Sequence, residues 1–417
     1  MGHAVPLVTS FRGERYADVA RLSSLIAPPY DIISPEQRKR YAALDAHNIV
    51  HLILPEAPIR EERYLQAAQL LAEWRRQGVF VTDPAPAVYV VAQVFTTPDG
   101  RRLARTGMFA GLAAEPYEMG RVRPHERTHA APKQDRLSLL RATRTSLESI
   151  LVIAPDPDGA LLAGMGAVAG GARTPDAAAE LDGVQISLWV VTGADALGLA
   201  ESAGRRSLYI ADGHHRFETA VAYARENPAA DRLLSFIVSA RDPGLAVLAT
   251  HRVIYAVGRD LKPIMERWKR YFEISDVPAD ADRAAHLATL GQRGTACIVA
   301  TAGKHDYALL LRRDAPLQEL PELGRTPAAR SLDAAIVERL VVQEILGAGT
   351  STPTLNYTPD ARTALSLAWE GKATAVVLLN PTPVAQVIAV ADAADVMPQK
   401  STYFIPKVPS GLVLRPL

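Results

Sequence analysis

The chain has 417 residues, 48% hydrophobic and 22% charged, with 46 basic against 45 acidic side chains and a formal net charge of +1. That length suggests two or three domains of roughly 150 residues each, and the balanced charge alone does not point to a nucleic-acid or membrane surface. A lone cysteine, Cys297 in "ACIVA", excludes an internal disulfide and is expected as a buried small hydrophobe.

The start "MGHAVPLVTSFRGERY" lacks the basic and apolar regions of a secretory leader, and no apolar run reaches the roughly 20 residues of a membrane span. A soluble cytoplasmic protein is expected. "SPEQRKRYAALDA" opens with Ser34 as N-cap and Pro35 at the first helical position. "NIVHLILP" reads as a strand. "EERYLQAAQLLAEWRRQGV" spaces its apolar residues by three and four and stops at Gly78, so it reads as an amphipathic helix. "AVYVVAQVFTT" and "RRLARTGMFAGLAA" flank a Pro-Asp-Gly turn and predict a β-hairpin. "RLSLLRATRT" predicts a helix and "SILVIAP" a strand. Residues 156 to 181 are rich in Ala and Gly and predict a small helix plus a connection.

Beyond them strands and helices alternate. "VQISLWVV", "SLYIA" and "LLSFIVSA" read as strands, and "ADALGLAESAG" and "HRFETAVAYAREN" as helices. Such alternation predicts an α/β unit. The last third predicts helices in "GRDLKPIMERWKRYF" and "LDAAIVERLVVQEILG", a hairpin of "ACIVATA" with "YALLLRR", and a strand in "ATAVVLLN".

The densest chemistry lies in "LYIADGHHRFETAVAY". Gly213 permits a tight turn from strand to helix. The helix then begins near His214, and its unpaired backbone N–H groups and positive dipole end favour an anion. Arg216 adds a fixed charge suited to phosphate oxygens. His214 and His215 can donate to phosphate or transfer protons. Asp212 can hold a metal or orient a histidine. The local physics is that of a phosphate cradle. The plainer alternative is a capped helix whose first turn happens to be polar.

These residues resemble the Asp-Gly-His-His-Arg signature of the ParB/sulfiredoxin-like superfamily. The whole chain resembles a bacterial and archaeal family termed domain of unknown function 1015, through "FRGERY", "IAPPYDIISPEQ", "NIVHLILPE", "PHERT", "PKQDRLSLLRAT", "DGHHRFETA", "DPGLAVLATHRVI" and "VMPQKSTYFIPKVPSGLVLRPL". The superfamily includes sulfiredoxin, ParB nucleotide hydrolases and kinases of free serine. The resemblance implies a nucleotide phosphate held at Asp212, Gly213, His214, His215 and Arg216. It also implies a glutamate base outside the motif, which no motif of this chain places.

A second polar cluster is "RPHERTHAAPKQDR", residues 123 to 136. It contains His125-Glu126-x-x-His129, literally a zinc-protease pattern. Pro124 and Pro132 bracket it, and it lacks the long helix that would bring both histidines to one face. An active-site loop is the preferred reading. Glu126 is then the candidate base beside His125, Lys133 and Arg136 are phosphate ligands, and Asp135 joins Asp212 as a candidate for Mg2+. "ATHRVI" adds Arg252 as a phosphate ligand, and "APPYDIIS" offers Tyr30 and Asp31 as pocket lining.

The expected architecture is mixed α/β: an N-terminal α+β region over 1–181 carrying the polar loop, a ParB/sulfiredoxin-like nucleotide-binding unit over 182–258, and a C-terminal α/β region over 259–417. The expected function is an ATP- or ADP-dependent kinase with Mg2+, acting on a small free amino acid, serine first. The alternatives are a ParB-like nucleotide hydrolase, switch or nuclease, for which no basic helix-turn-helix is visible, and a non-catalytic small-ligand sensor.

Overall fold

The computed structural model describes residues 5–59, 62–128, 130–255, 261–347 and 354–417. Two compact units emerge. The first comprises Met1–Pro124, Thr128–Ala246 and Pro406–Leu417; the second comprises His125–Arg127 and Val247–Ile405.

The first unit is built on a nine-stranded mixed sheet. Eight strands run in the order Val122–Arg123, Leu208–Asp212, Ile150–Ala154, Arg232–Ser239, Arg102–Ala113, Ala87–Thr96, Val184–Thr192 and Ala177–Leu181. Strand Val8–Thr9 joins through Arg102–Ala113. The predicted hairpin Ala87–Thr96/Arg102–Ala113 forms its antiparallel centre, and Gly100 turns the chain with φ +86°. Leu208–Asp212 runs parallel to Val122–Arg123 and antiparallel to Ile150–Ala154. The sheet packs on helices Ala160–Ala169, Gly193–Gly204 and His214–Glu226 through buried Met165, Leu199, Phe217 and Val221.

The second unit holds a six-stranded antiparallel sheet, ordered Phe272–Asp276, Asp306–Leu311, Ala296–Ala300, Ala375–Leu379, His251–Tyr255 and Thr354–Thr358. Cys297 is fully buried in it, as expected. Burial pushes its thiol well above the ordinary range.

Several expectations change. The proposed boundary at 182 is not a boundary between compact units, because Val184–Thr192 pairs along its length with Ala87–Thr96. The boundary placed at 258 lies outside the described residues. The C-terminal segment also returns to the first unit, where Arg415–Pro416 pairs with Thr145–Ser146. "NIVHLILP" is not a strand: Val50–Ile53 is one turn of helix, with Asn48 Oδ1 accepting from Val50 N at 2.9 Å. The polar loop is helical over its second half, since helix Ala130–Thr143 takes in the PKQDR stretch. Pro132 falls in its first turn, where a backbone nitrogen has no intrahelical partner to lose. The connection expected near 177 is strand Ala177–Leu181, paired with Val184–Thr192. No helix among the described residues is long and apolar enough to cross a membrane.

Candidate functional site: an anion cradle at the strand–helix junction

Strand Leu208–Asp212 is buried through Ala211 and opens at Asp212. Its register against Ile150–Ala154 slips just before that residue: Ile210 faces Val152, and Asp212 faces Leu151. The extra residue, Ala211, is a bulge, the kind of irregularity that re-aims a side chain beside a site. Gly213 follows with φ +92° and forms the N-cap of helix His214–Glu226. A Cβ there would meet Ile150 Cγ2 at 2.8 Å and Arg216 Nε at 3.1 Å. Only glycine fits both the conformation and the space. With glycine as N-cap, no side chain caps the first turn, which leaves the helix end suited to an anion.

Charge converges on this junction. Lys407 Nζ donates to Asp212 Oδ2 at 3.0 Å. Burial alone would raise the Asp212 carboxyl, but the charges of Lys407 and Arg216, the Lys407 hydrogen bond and His214 outweigh it and hold the group well below the usual carboxylate range. Arg216 donates from Nη1 to the Ser149 carbonyl. Burial disfavours its charge, yet Asp31, Glu148, Asp212 and Tyr30 more than offset this and raise its pKa. Asp212, Arg216 and Lys407 line a shallow depression with Pro29 and Ser149. His214 is buried and His215 half-buried in the same turn.

Behind Arg216 stands a buried network. Glu148 accepts from Tyr30 N at 2.9 Å and from Arg136 Nη1 at 3.3 Å. The Arg136 guanidinium lies 4.0 Å over the Tyr30 ring. Arg136 also donates to Ile53 O at 2.8 Å and to Asp135 Oδ2 at 2.5 and 2.8 Å. Its charge is thus committed inside the unit, contrary to its expected place on phosphate. Asp135 is no better as a metal ligand. Its second oxygen accepts from Arg63 and Tyr64, and burial is outweighed by Arg136, Tyr64 and Arg63, which lower its pKa. Tyr30 and Asp31, expected as pocket lining, act on Arg216 through their charge, while of that stretch it is Pro29 that lines the depression.

Lys133 points elsewhere. Its Nζ donates to Glu218 Oε2 at 2.8 Å, and Thr128 Oγ1 donates to the same oxygen at 2.8 Å. Lys133 and Glu218 line an open groove of about 550 Å3 with Tyr117 and Arg225. Tyr117 stacks on Phe217 at 5.2 Å.

The remaining expected residues lie in the second unit. His125 is 2% exposed, and its Nε2 lies 3.3 Å from Thr402 Oγ1. Glu126 is half-buried and helps to raise the pKa of Tyr357, after burial and Glu338. Arg252 is 1% exposed, with Nε 3.3 Å from Glu338 Oε2 and Nη1 bonded to Thr250 O at 2.5 Å. His129 lies outside the described residues. His125 and Glu126 precede helix Ala130–Thr143 rather than riding on it, so the zinc-protease pattern lacks its scaffold. Among the described residues, no group of three or more His, Cys, Asp or Glu is placed to hold a metal.

Sequence reading missed Lys407, Glu148 and Glu218. Glu218 stood in the quoted "DGHHRFETA". The other two have no local signal, since Lys407 reaches Asp212 across 195 positions.

No curated protein matches the chain. Its structure is similar to that of a free serine kinase in complex with AMP, at 15% identity and a TM-score of 0.38, over 72% of this chain and 87% of that one. A conserved hypothetical protein from Pyrococcus furiosus is similar at 16% identity and a TM-score of 0.36, over 73% and 93% of the two chains. SbnI from Staphylococcus aureus, with a C-terminal truncation, is similar at 10% identity and a TM-score of 0.37, over 72% and 84%. Likeness at these scores carries no argument about activity. The sequence comparison is decisive on family: residues 8–335 match one family model, and the chain belongs to the family described as Protein of unknown function (DUF1015).

Proposed function

We propose that this chain is a nucleotide-dependent phosphotransferase that uses ATP or ADP, with Mg2+, to phosphorylate the hydroxyl of a small free amino acid, serine first. One observation carries the reading: the Gly213 junction sets a helix end without a side-chain cap beside Arg216 and Lys407, next to the ionised Asp212. Phosphoryl transfer asks little covalent chemistry of a protein. It asks for positioning and for positive charge around the transferred group.

In this reading Arg216, Lys407 and the first-turn N–H groups bind the nucleotide phosphates, and His214 and His215 donate to their oxygens. A magnesium ion usually takes one or two carboxylates together with phosphates and water. Asp212 fits that role with one ionised carboxylate; Asp135, enclosed by Arg63, Tyr64 and Arg136, does not. Bound there, the metal would neutralise charge on the transferred group. A carboxylate base takes the acceptor's hydroxyl proton from within about 3 Å. The oxygen then bonds to the terminal phosphorus as the bond to the nucleotide's bridging oxygen breaks. Glu126 is the base inferred from sequence, and Glu218 is the carboxylate on the motif's own helix.

The test is incubation with ATP or ADP, Mg2+ and a pool of amino acids, followed by mass spectrometry. A phosphorylated amino acid is expected. Nucleotide hydrolysis with every amino acid unchanged would favour a hydrolase or switch, and the absence of both binding and turnover would end the reading.

A further inference from the structure

A second concentration of charge sits at the other end of strand Leu208–Asp212. Arg205 and Arg206 close helix Gly193–Gly204 just before this strand begins. Arg121 and Arg123 lie at strand Val122–Arg123, which runs parallel beside it. These four arginines, with Ser207 and Tyr209, line a hollow of about 530 Å3 whose described lining includes no acidic side chain. The strand has five residues, so the hollow is about 13 Å from the Asp212 junction.

Two of the arginines are held in place. Arg121 donates from Nε to both Glu115 oxygens, at 3.0 and 3.1 Å, and from Nη1 to Val5 O at 2.8 Å. Arg123 donates from Nε to Gly120 O at 3.2 Å and lies 6.0 Å over the Tyr209 ring. The other two, Arg205 and Arg206, are exposed and make no hydrogen bond or ion pair among the described residues. A cation at a helix C-terminus complements the dipole. That explains Arg205 at the C-cap of its helix but not Arg206.

The geometry points to a second anion site in this hollow, for a compact ligand carrying two or more phosphate groups. Guanidinium forks match phosphate oxygens in pairs, and a concave surface of one sign concentrates the field on its contents. The volume lies within the range of small-molecule sites, about 300–1,000 Å3. A single nucleic-acid strand would instead want an extended basic groove with open aromatic faces. Tyr209, the one ring here, is 5% exposed and already lies under Arg123. The inference does not depend on the phosphotransferase reading.

The probe is inorganic triphosphate, titrated by calorimetry at low salt into wild type, the Arg205→Ala/Arg206→Ala pair, the corresponding lysine pair and Arg216→Ala. Loss of charge-assisted contacts in the alanine pair should weaken one binding component by about tenfold or more. The lysine pair, which keeps charge without the fork, should fall between. Arg216→Ala should leave that component intact. Both exchanged residues are exposed, so thermal stability should fall by no more than the small helix-end contribution of Arg205, which separates binding from folding. Unchanged triphosphate binding in the alanine pair, or binding that depends wholly on Arg216, overturns the site. So does a single-stranded oligonucleotide that binds more tightly than triphosphate through the same arginines.

Discussion

Replacing Arg216 by alanine removes the fixed cation of the junction and tests the cradle directly. A charge-assisted hydrogen bond to phosphate contributes about 1.5–3 kcal/mol. At 1.4 kcal/mol per decade, its loss raises the nucleotide dissociation constant about 10- to 150-fold. A second effect runs alongside. Arg216 is the shared counter-ion of Asp31, Glu148 and Asp212 and is bonded to the Ser149 carbonyl. Removing one partner of a fully buried pair costs about 3–5 kcal/mol of stability, and the partial exposure of Arg216 places its cost below that range. Arg216→Lys separates the two effects: charge among the carboxylates is restored, but the fork that grips two phosphate oxygens is not. Stability should recover more fully than affinity. The assay is calorimetry with ATP and with ADP on proteins whose urea unfolding shows them folded under the same conditions. Equal affinities in wild type and a folded Arg216→Ala protein refute the reasoning, and Arg216 is then only an internal counter-ion.

Gly213→Ala forces a Cβ to 2.8 Å from Ile150 Cγ2 at φ +92°; urea unfolding should show a loss of about 1–3 kcal/mol, and an unchanged midpoint would contradict the packing argument. Lys407→Ala removes the largest influence holding Asp212 ionised, so carboxyl NMR should show the Asp212 titration moving upward; an unmoved titration would place Lys407 outside the site's electrostatics. Burial, reinforced by Arg252 and opposed by Asp360, pushes His251 from 6.5 down to about 4. The folded ring is neutral, so its contribution to stability is complete above the unfolded value of 6.5 and is lost as pH falls toward about 4, where only the unfolded chain takes up the proton. That loss totals about 3 kcal/mol. His251→Gln should flatten the pH dependence of the urea midpoint, and parallel profiles for the two proteins would refute it. Glu126→Gln and Glu218→Gln each remove one proton acceptor. Whichever is the base should lose about 10²–10⁴-fold in turnover with nucleotide affinity preserved, and full turnover in both variants would exclude the pair.

The fold was legible where local chemistry is self-sufficient. Ser34 caps helix Pro35–Leu44 as its sequence foretells, and Gln37 completes a capping box. The Pro-Asp-Gly turn sets the central hairpin. The alternation from Val184 to Ser239 gives each strand and helix read from it. It failed where burial is equal on all sides. "NIVHLILP" is apolar but for Asn48 and His51, and periodicity cannot tell a buried turn of helix from a buried strand. Its conformation is decided by Asn48, whose Nδ2 donates to Ser24 O at 2.7 Å and Ile26 O at 3.1 Å. The boundary at 182 failed for a related reason. Sheet pairing joins Val184–Thr192 to a strand nearly a hundred residues earlier, and composition along the chain carries no trace of such pairing.

The site divides in the same way. Asp212, Gly213, His214, His215 and Arg216 were readable because five consecutive positions hold the turn, the helix end and the charge. Arg136 and Asp135 show why residue type alone misleads. Adjacent and opposite in sign, they have the composition of a phosphate and metal pair. In the folded unit Arg136 donates to Ile53 O across 83 positions, and Asp135 receives Arg63 across 72. A charge is available to a ligand only if no internal partner has taken it, and those partners come from distant segments. The same reasoning separates Arg216 from Arg136. Both contact backbone carbonyls and acidic neighbours, but Arg216 borders the depression that Asp212 and Lys407 share, while Arg136 stacks over Tyr30 behind it. Arg136 therefore acts on the site at one remove, by holding Glu148, whose charge favours the charged form of Arg216.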